Sequence, residues 1–173
     1  MHLVNASINS EGQLNIIPSA GSSKDDFDFF IGEWKITNRK LKARLSSCTE
    51  WDSFNARQET RKILVGLGNT DIFCTTANGQ PFEGLTLRLF NPKTRLWSLF
   101  WADSNEGKMD PPLVGSFENK IGTFYCVDRF NGQQILVMFQ WDKTNPGNPI
   151  WSQAFSNDNG NSWEWNWYMY FEK

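Results

Sequence analysis

The sequence predicts an all-β protein, a single antiparallel up-and-down barrel of roughly eight to ten strands entered through one short helical turn. Three observations carry this. Short runs alternating apolar and polar residues recur at roughly ten-residue intervals. Tight-turn dipeptides separate many of them: Asn78-Gly79, Asn91-Pro92, Asn131-Gly132 and Asn159-Gly160. After the N-terminal region, no stretch keeps apolar residues at helical spacing for more than two turns. A two-sheet sandwich fits the same pattern, but closure into a barrel removes the exposed strand edges.

Residues 1–24 are rich in Ser, Asn and Gly, with Leu14–Ile17 the main apolar stretch, and read as a flexible arm with one short docking strand. Residues 25–173 keep one texture and form the barrel domain. Asp26–Phe30 suits one helical turn capped by Asp25 or Asp26. The strand-like runs are Glu33–Asn38, Ser47–Phe54, Thr60–Leu64, Thr70–Thr75, Leu85–Phe90, Arg95–Asp103, Leu113–Phe117, Gly122–Phe130, Gln133–Trp141, Ile150–Ser156 and Ser162–Phe171. Asn131-Gly132, flanked closely by two of these runs, is the strongest hairpin signal.

Alternation assigns faces, because successive strand residues point to opposite sides of a sheet. Trp97, Leu99, Trp101 and Asp103 share one face. Ile135, Val137, Phe139 and Trp141 share another, as do Trp151, Gln153 and Phe155. In the last run Trp163, Trp165, Trp167, Met169 and Phe171 fall together. One side of the sheet is thus lined with indoles. This locates the 14 Phe, 9 Trp and 3 Tyr, an excess in an otherwise ordinary chain. A barrel of about eight strands has room inside for side chains or one small ligand.

Composition removes several classes. A length of 173 residues suits one domain. The net charge of −2 and pI ≈ 5.4 lack the basic footprint of a nucleic-acid binder. The longest aliphatic or aromatic run, Ile135–Phe139, is far below the roughly 20 residues of a membrane helix. No basic stretch followed by an apolar core marks a secretory signal. Cys48, Cys74 and Cys126 are odd in number and widely spaced, so neither disulfides nor a metal site is expected, and a cytoplasmic location is.

Five stretches add a resemblance. They are Phe27-Asp28-Phe29-Phe30-Ile31-Gly32-Glu33-Trp34, Pro81-Phe82-Glu83-Gly84-Leu85, Phe90-Asn91-Pro92, Trp101-Ala102-Asp103-Ser104 and Phe155-Ser156-x-Asp158-x-Gly160-x-Ser162-Trp163-Glu164. In this order the chain resembles bacterial lipocalin-like (calycin) domains of unknown function, whose first strand carries Gly-x-Trp. The resemblance implies one antiparallel barrel with an interior cavity and transfers no reaction. No Arg near the C-terminus is evident to stack on the first-strand Trp, unlike secreted lipocalins.

The chemistry candidates are few. His2 is the only imidazole and sits in the arm, which argues against a nucleophile–base pair, a His-based metal site and haem ligation through His. No cofactor is expected. Asp103 ends a strand beside Trp97 and Trp101, at a cavity mouth or as a turn former with Ser104-Asn105. Asp128 shares a face with Phe124 and Cys126. Arg88 faces inward if Thr86 and Phe90 do, and outward if Leu85, Leu87 and Leu89 pack instead. Trp34 is read as a plug at the closed end.

The expected function is binding of a small, largely apolar ligand. Trp97, Trp101, Trp167 and Met169 form its wall, and Arg88, Asp103 and Gln153 supply orienting polar groups. The alternatives are a packed barrel serving as a protein-interaction module and a cofactor-free enzyme using Asp103 and Arg88. Leu136 and Met138, outward on their strand, suggest a homodimer contact.

Overall fold

The structure, a computed structural model, describes residues 3–9, 11–77 and 79–173. His2 and the Asn78 half of the Asn78-Gly79 turn therefore lie outside the described residues. Two short strands, β1 (Ala6–Ile8) and β2 (Leu14–Ile16), pair as a hairpin. A 3-10 turn, Asp28–Phe30, leads into ten strands: β3 (Gly32–Leu41), β4 (Trp51–Ile63), β5 (Gly68–Ala77), β6 (Gln80–Asn91), β7 (Leu96–Asp103), β8 (Leu113–Glu118), β9 (Ile121–Phe130), β10 (Gln133–Asp142), β11 (Ile150–Ser156) and β12 (Glu164–Glu172). Each pairs antiparallel with the next, and β12 returns to pair with β3. The sheet is thus a closed up-and-down barrel, an architecture consistent with a lipocalin-like one. Among the described residues, no helix is long and apolar enough to cross a membrane.

Asn131-Gly132 forms its hairpin as read: both residues take positive φ and Phe130 pairs with Gln133. Two separate runs, Ser47–Phe54 and Thr60–Leu64, are parts of the one strand β4. The residues between them do alternate, with Ala56 and Gln58 buried, but small and polar inward side chains hide the period. The 3-10 turn lacks a side-chain cap. Ser23 and Asp26 instead brace the preceding turn, since Asp26 Oδ2 accepts the Ser23 N–H (2.9 Å) and Ser23 Oγ accepts the Asp25 N–H (3.2 Å).

The last strand corrects a face assignment. Gln153 faces Trp167 and Ala154 faces Trp165, so Asn166 is an extra residue that bulges β12. Trp167, Met169 and Phe171 point inward, whereas Trp163 and Trp165 lie outside the barrel against Tyr125, Met138 and Ala154. The N-terminal hairpin covers that outer apolar strip with Leu3, Ala6, Leu14 and Ile16. Leu136 and Met138, which suggested a dimer contact, are buried in the monomer. The Tyr125 hydroxyl accepts the Val4 N–H (3.0 Å), and the Arg95 guanidinium donates to the carbonyls of Ala20 (2.7 Å) and Ser22 (3.0 Å). Residues 3–9 and 11–24 therefore form a strap along the barrel.

The chain then closes one barrel end from below. Phe27 and Phe30 enter it, with Phe27 edge-on to Trp97 (4.9 Å) and Phe117 (5.0 Å) and Phe30 edge-on to Trp141 (4.5 Å). Trp34 belongs to this plug, stacked on Phe30 at 5.5 Å and donating its indole N–H to the Phe30 carbonyl (2.8 Å). A cation does sit on the Trp34 ring, but it is Lys173, with Nζ 4.9 Å from the centroid.

The β4–β5 turn is the exception to good local chemistry. Leu64, Val65 and Gly66 are all left-handed, and the Val65 side chain is fully exposed. A β-branched residue in that region is strained by about 1–2 kcal/mol. Val65→Gly is expected to raise stability by about 1 kcal/mol, read as a higher urea midpoint at unchanged m-value.

Candidate functional site

The barrel interior has two halves. On β3 to β6 the inward positions include Asn38, Gln58, Thr60, Asn69, Asp71 and Arg88, all buried. On β7 to β12 they are mainly apolar: Leu99, Phe124, Ile135, Val137, Trp141, Trp151 and Met169. Above the aromatic plug these halves enclose a cavity of about 350 Å³ that opens at the opposite end. There β7 and β8 share only three paired positions, Trp97↔Gly115 to Leu99↔Leu113, so the strands part below the mouth.

Most of the side chains expected from sequence meet there. Arg88, Trp101, Asp103, Gln153, Trp167 and Met169 all line the cavity. Trp97 does not. It is buried in the plug, and its indole N–H is taken by the Ser23 carbonyl (3.1 Å). Gln153 donates its amide to Asn166 Oδ1 (2.8 Å), so the bulge residue anchors it. Trp167 donates to Asn38 Oδ1 (3.0 Å), which fixes the indole as a wall. Trp101 lies across Gly84: a Cβ there would approach its Cη2 to 2.0 Å, so only glycine admits the ring.

Arg88 faces inward and settles the two-way reading of its strand. Its guanidinium lies over Phe27 (5.4 Å), Phe30 (5.2 Å) and Trp141 (5.6 Å). Nη1 donates to Asn69 Oδ1 (2.9 Å) and to Asp71 Oδ2, a carboxylate whose side chain has 0% exposure. Burial pushes the Asp71 carboxyl upward, and the Arg88 cation opposes this. Among the described residues, Arg88 Nε, Asp71 Oδ1 and Trp141 Nε1 find no hydrogen-bond partner. Asp71 escaped the sequence reading because its run, Thr70–Thr75, offered no decision about which face is inward.

The Asp103–Arg88 pair does not form. Asp103 stands opposite Gly84 and Arg88 opposite Leu99, four residues apart on β6, or roughly 13 Å along the strand. Asp103 instead accepts the N–H groups of Asn105 (2.9 Å), Glu106 (3.2 Å) and the Trp101 indole (3.3 Å), the turn role weighed for it above. Asp128 lines the mouth and accepts the Arg129 N–H (2.7 Å). Asp110 also lines it, its carboxyl raised by burial and by Asp128 and Asp103. Cys126 is on the wall, its thiol pushed up to about 12 by burial and the nearby carboxylates. Among the described residues no group of three or more His, Cys, Asp or Glu side chains is placed to hold a metal.

Two further cations at the mouth escaped the sequence reading. Lys40 follows Trp34, Ile36 and Asn38 on the inward face of β3, and its Nζ lies 4.0 Å from the Trp167 ring centroid. The alternation contained this signal, but the expected strand stopped at Asn38. Arg44, in the loop after β3, sits over Phe155 at 5.4 Å.

Breaking a buried ion pair leaves an uncompensated charge. Asp71→Ala is expected to cost about 3–5 kcal/mol in urea unfolding, while the apolar double change Asp71→Leu with Arg88→Met recovers most of the loss. A scan against protein-family models and a search of curated proteins both return no match, so the meaning of this cavity rests on its geometry.

Proposed function

We propose that the protein is a lipocalin-like barrel that binds a small, largely apolar molecule in its cavity. The carrying observation is an open-ended space of about 350 Å³ with an aromatic and aliphatic wall and few polar groups. Ligand sites have that composition, and the volume lies at the small end of their usual range. The well-packed plug, in which Phe27, Phe30, Trp34, Trp97 and Trp141 are all buried, makes the space one-ended.

A packed interaction module needs a filled interior, and the cavity weighs against it. A water-facing barrel fits the outward residues of β3 and β4, which include Glu33, Lys35, Arg39, Arg57, Glu59 and Arg61. A lipid-facing band is apolar instead. A cytoplasmic setting accords with three free cysteines, one of them buried.

Titration with the neutral apolar dye N-phenyl-1-naphthylamine tests this reading. Saturable dye enhancement with quenching of tryptophan emission is expected, because Trp101, Trp141, Trp151 and Trp167 line the space. Val137→Phe, which adds bulk to the wall, is expected to weaken dye binding at least tenfold while thermal unfolding stays cooperative. Absence of saturable binding in the unaltered protein would overturn the proposal.

A further inference from the structure

We infer that the ligand carries an anionic head, of the carboxylate class, held between Lys40 and Arg44 at the cavity mouth. This rests on the ligand-binding reading above and specifies the chemistry of that site. Both cations line the cavity, and both are only partly exposed. Among the described residues no carboxylate lies within ion-pair distance of either.

Of the acids nearby, Glu164 and Asp103 are engaged elsewhere. Glu164, the carboxylate whose field reaches Arg44, puts both oxygens on the Leu45 N–H (2.8 and 2.9 Å). Asp103, which faces Lys40, is held by two turn N–H groups and the Trp101 indole. Asp110 and Asp128 line the same mouth with Arg129.

Lys40 and Arg44 repel each other, and each has given up part of its water. Lys40 is lowered to about 8, first by burial and then by Arg44, with Asp103 opposing. Burial also lowers Arg44. An anion between them offsets the repulsion and supplies charge-assisted hydrogen bonds that both heads lack. The apolar body of such a ligand would continue inward along Trp167, Phe155 and Trp151, which line the space below. A cationic head is disfavoured there by the same two charges.

The sign of the pH dependence follows from Lys40. Its charged form binds the anion, so affinity is full below its pKa and falls as pH rises through about 8, by up to tenfold per unit. The titratable and charged groups around Lys40 at the mouth are Arg44, Arg129, Asp103, Asp110, Asp128, the Cys126 thiol, pushed up to about 12, and Glu164, whose field reaches Arg44.

Octanoate, octan-1-ol and octylamine, displacing N-phenyl-1-naphthylamine, share one chain and differ in head. Octanoate is expected to bind at least tenfold more tightly than octanol at pH 7, with octylamine weakest. Lys40→Met and Arg44→Met should each bring octanoate close to octanol. Lys40→Arg should keep the preference and abolish its fall between pH 7 and 9.5. Equal binding of octanoate and octanol, a preference for octylamine, or a preference that survives both Met variants overturns the inference while leaving apolar binding intact. No binding of dye or of any octyl compound overturns both.

Discussion

Closure of a ten-strand sheet is the constraint on which the rest of this structure depends. A barrel of about eight strands is just wide enough for its own side chains to fill. Pairing β12 with β3 removes every sheet edge but creates an interior wider than that. The chain meets the excess width differently at the two ends. At one it inserts Phe27 and Phe30 from the preceding turn, so that the filling does not come from the strands alone. At the other the width remains as a cavity. The aromatic richness of the sequence is thus tied to barrel circumference.

The division of the interior into a polar and an apolar half follows the order of the strands. Four consecutive strands, β3 to β6, supply the Asp71–Arg88 pair and the buried Asn38, Gln58 and Asn69, and the next six supply most of the hydrocarbon wall. A buried ion pair contributes little net stability against an apolar substitute of similar volume. Its presence at the boundary between plug and cavity therefore points to a role in setting the polarity of the cavity floor. The Arg88 guanidinium also lies over Phe27, Phe30 and Trp141, linking that floor to the plug beneath it.

Much of this was legible in the residues. Period-two alternation and the Asn-Gly turns gave the strands, and the faces of Trp101, Val137 and Gln153 followed directly. What failed has specific physical causes. Asn166 adds one residue to β12, and a bulge reverses every face on one side of it, so Trp163 and Trp165 were placed inside. Gln58 and Asn69 are inward polar residues that break the expected pattern on β4 and β5, which concealed the middle of one strand and the carboxylate partner of Arg88. Met138, outward on its strand, is buried because a hairpin more than 120 residues earlier in the chain, invisible to local periodicity, packs over it.

The short seam between β7 and β8 has a kinetic consequence. Those strands share three paired positions, whereas β9 and β10 share ten. Past Leu99, β7 keeps two backbone bonds to the following loop, from the Asp110 N–H to the Trp101 carbonyl (2.8 Å) and from the Gly107 N–H to the Asp103 carbonyl (2.9 Å). Local opening is least costly where the fewest hydrogen bonds must break. Amides of Phe100–Asp103 that point to this seam, and not those bonded to β6, should therefore exchange with solvent deuterium well before those of β9 and β10. The wall therefore opens at least cost here, where three paired positions hold it, and not at any of the other nine strand pairings.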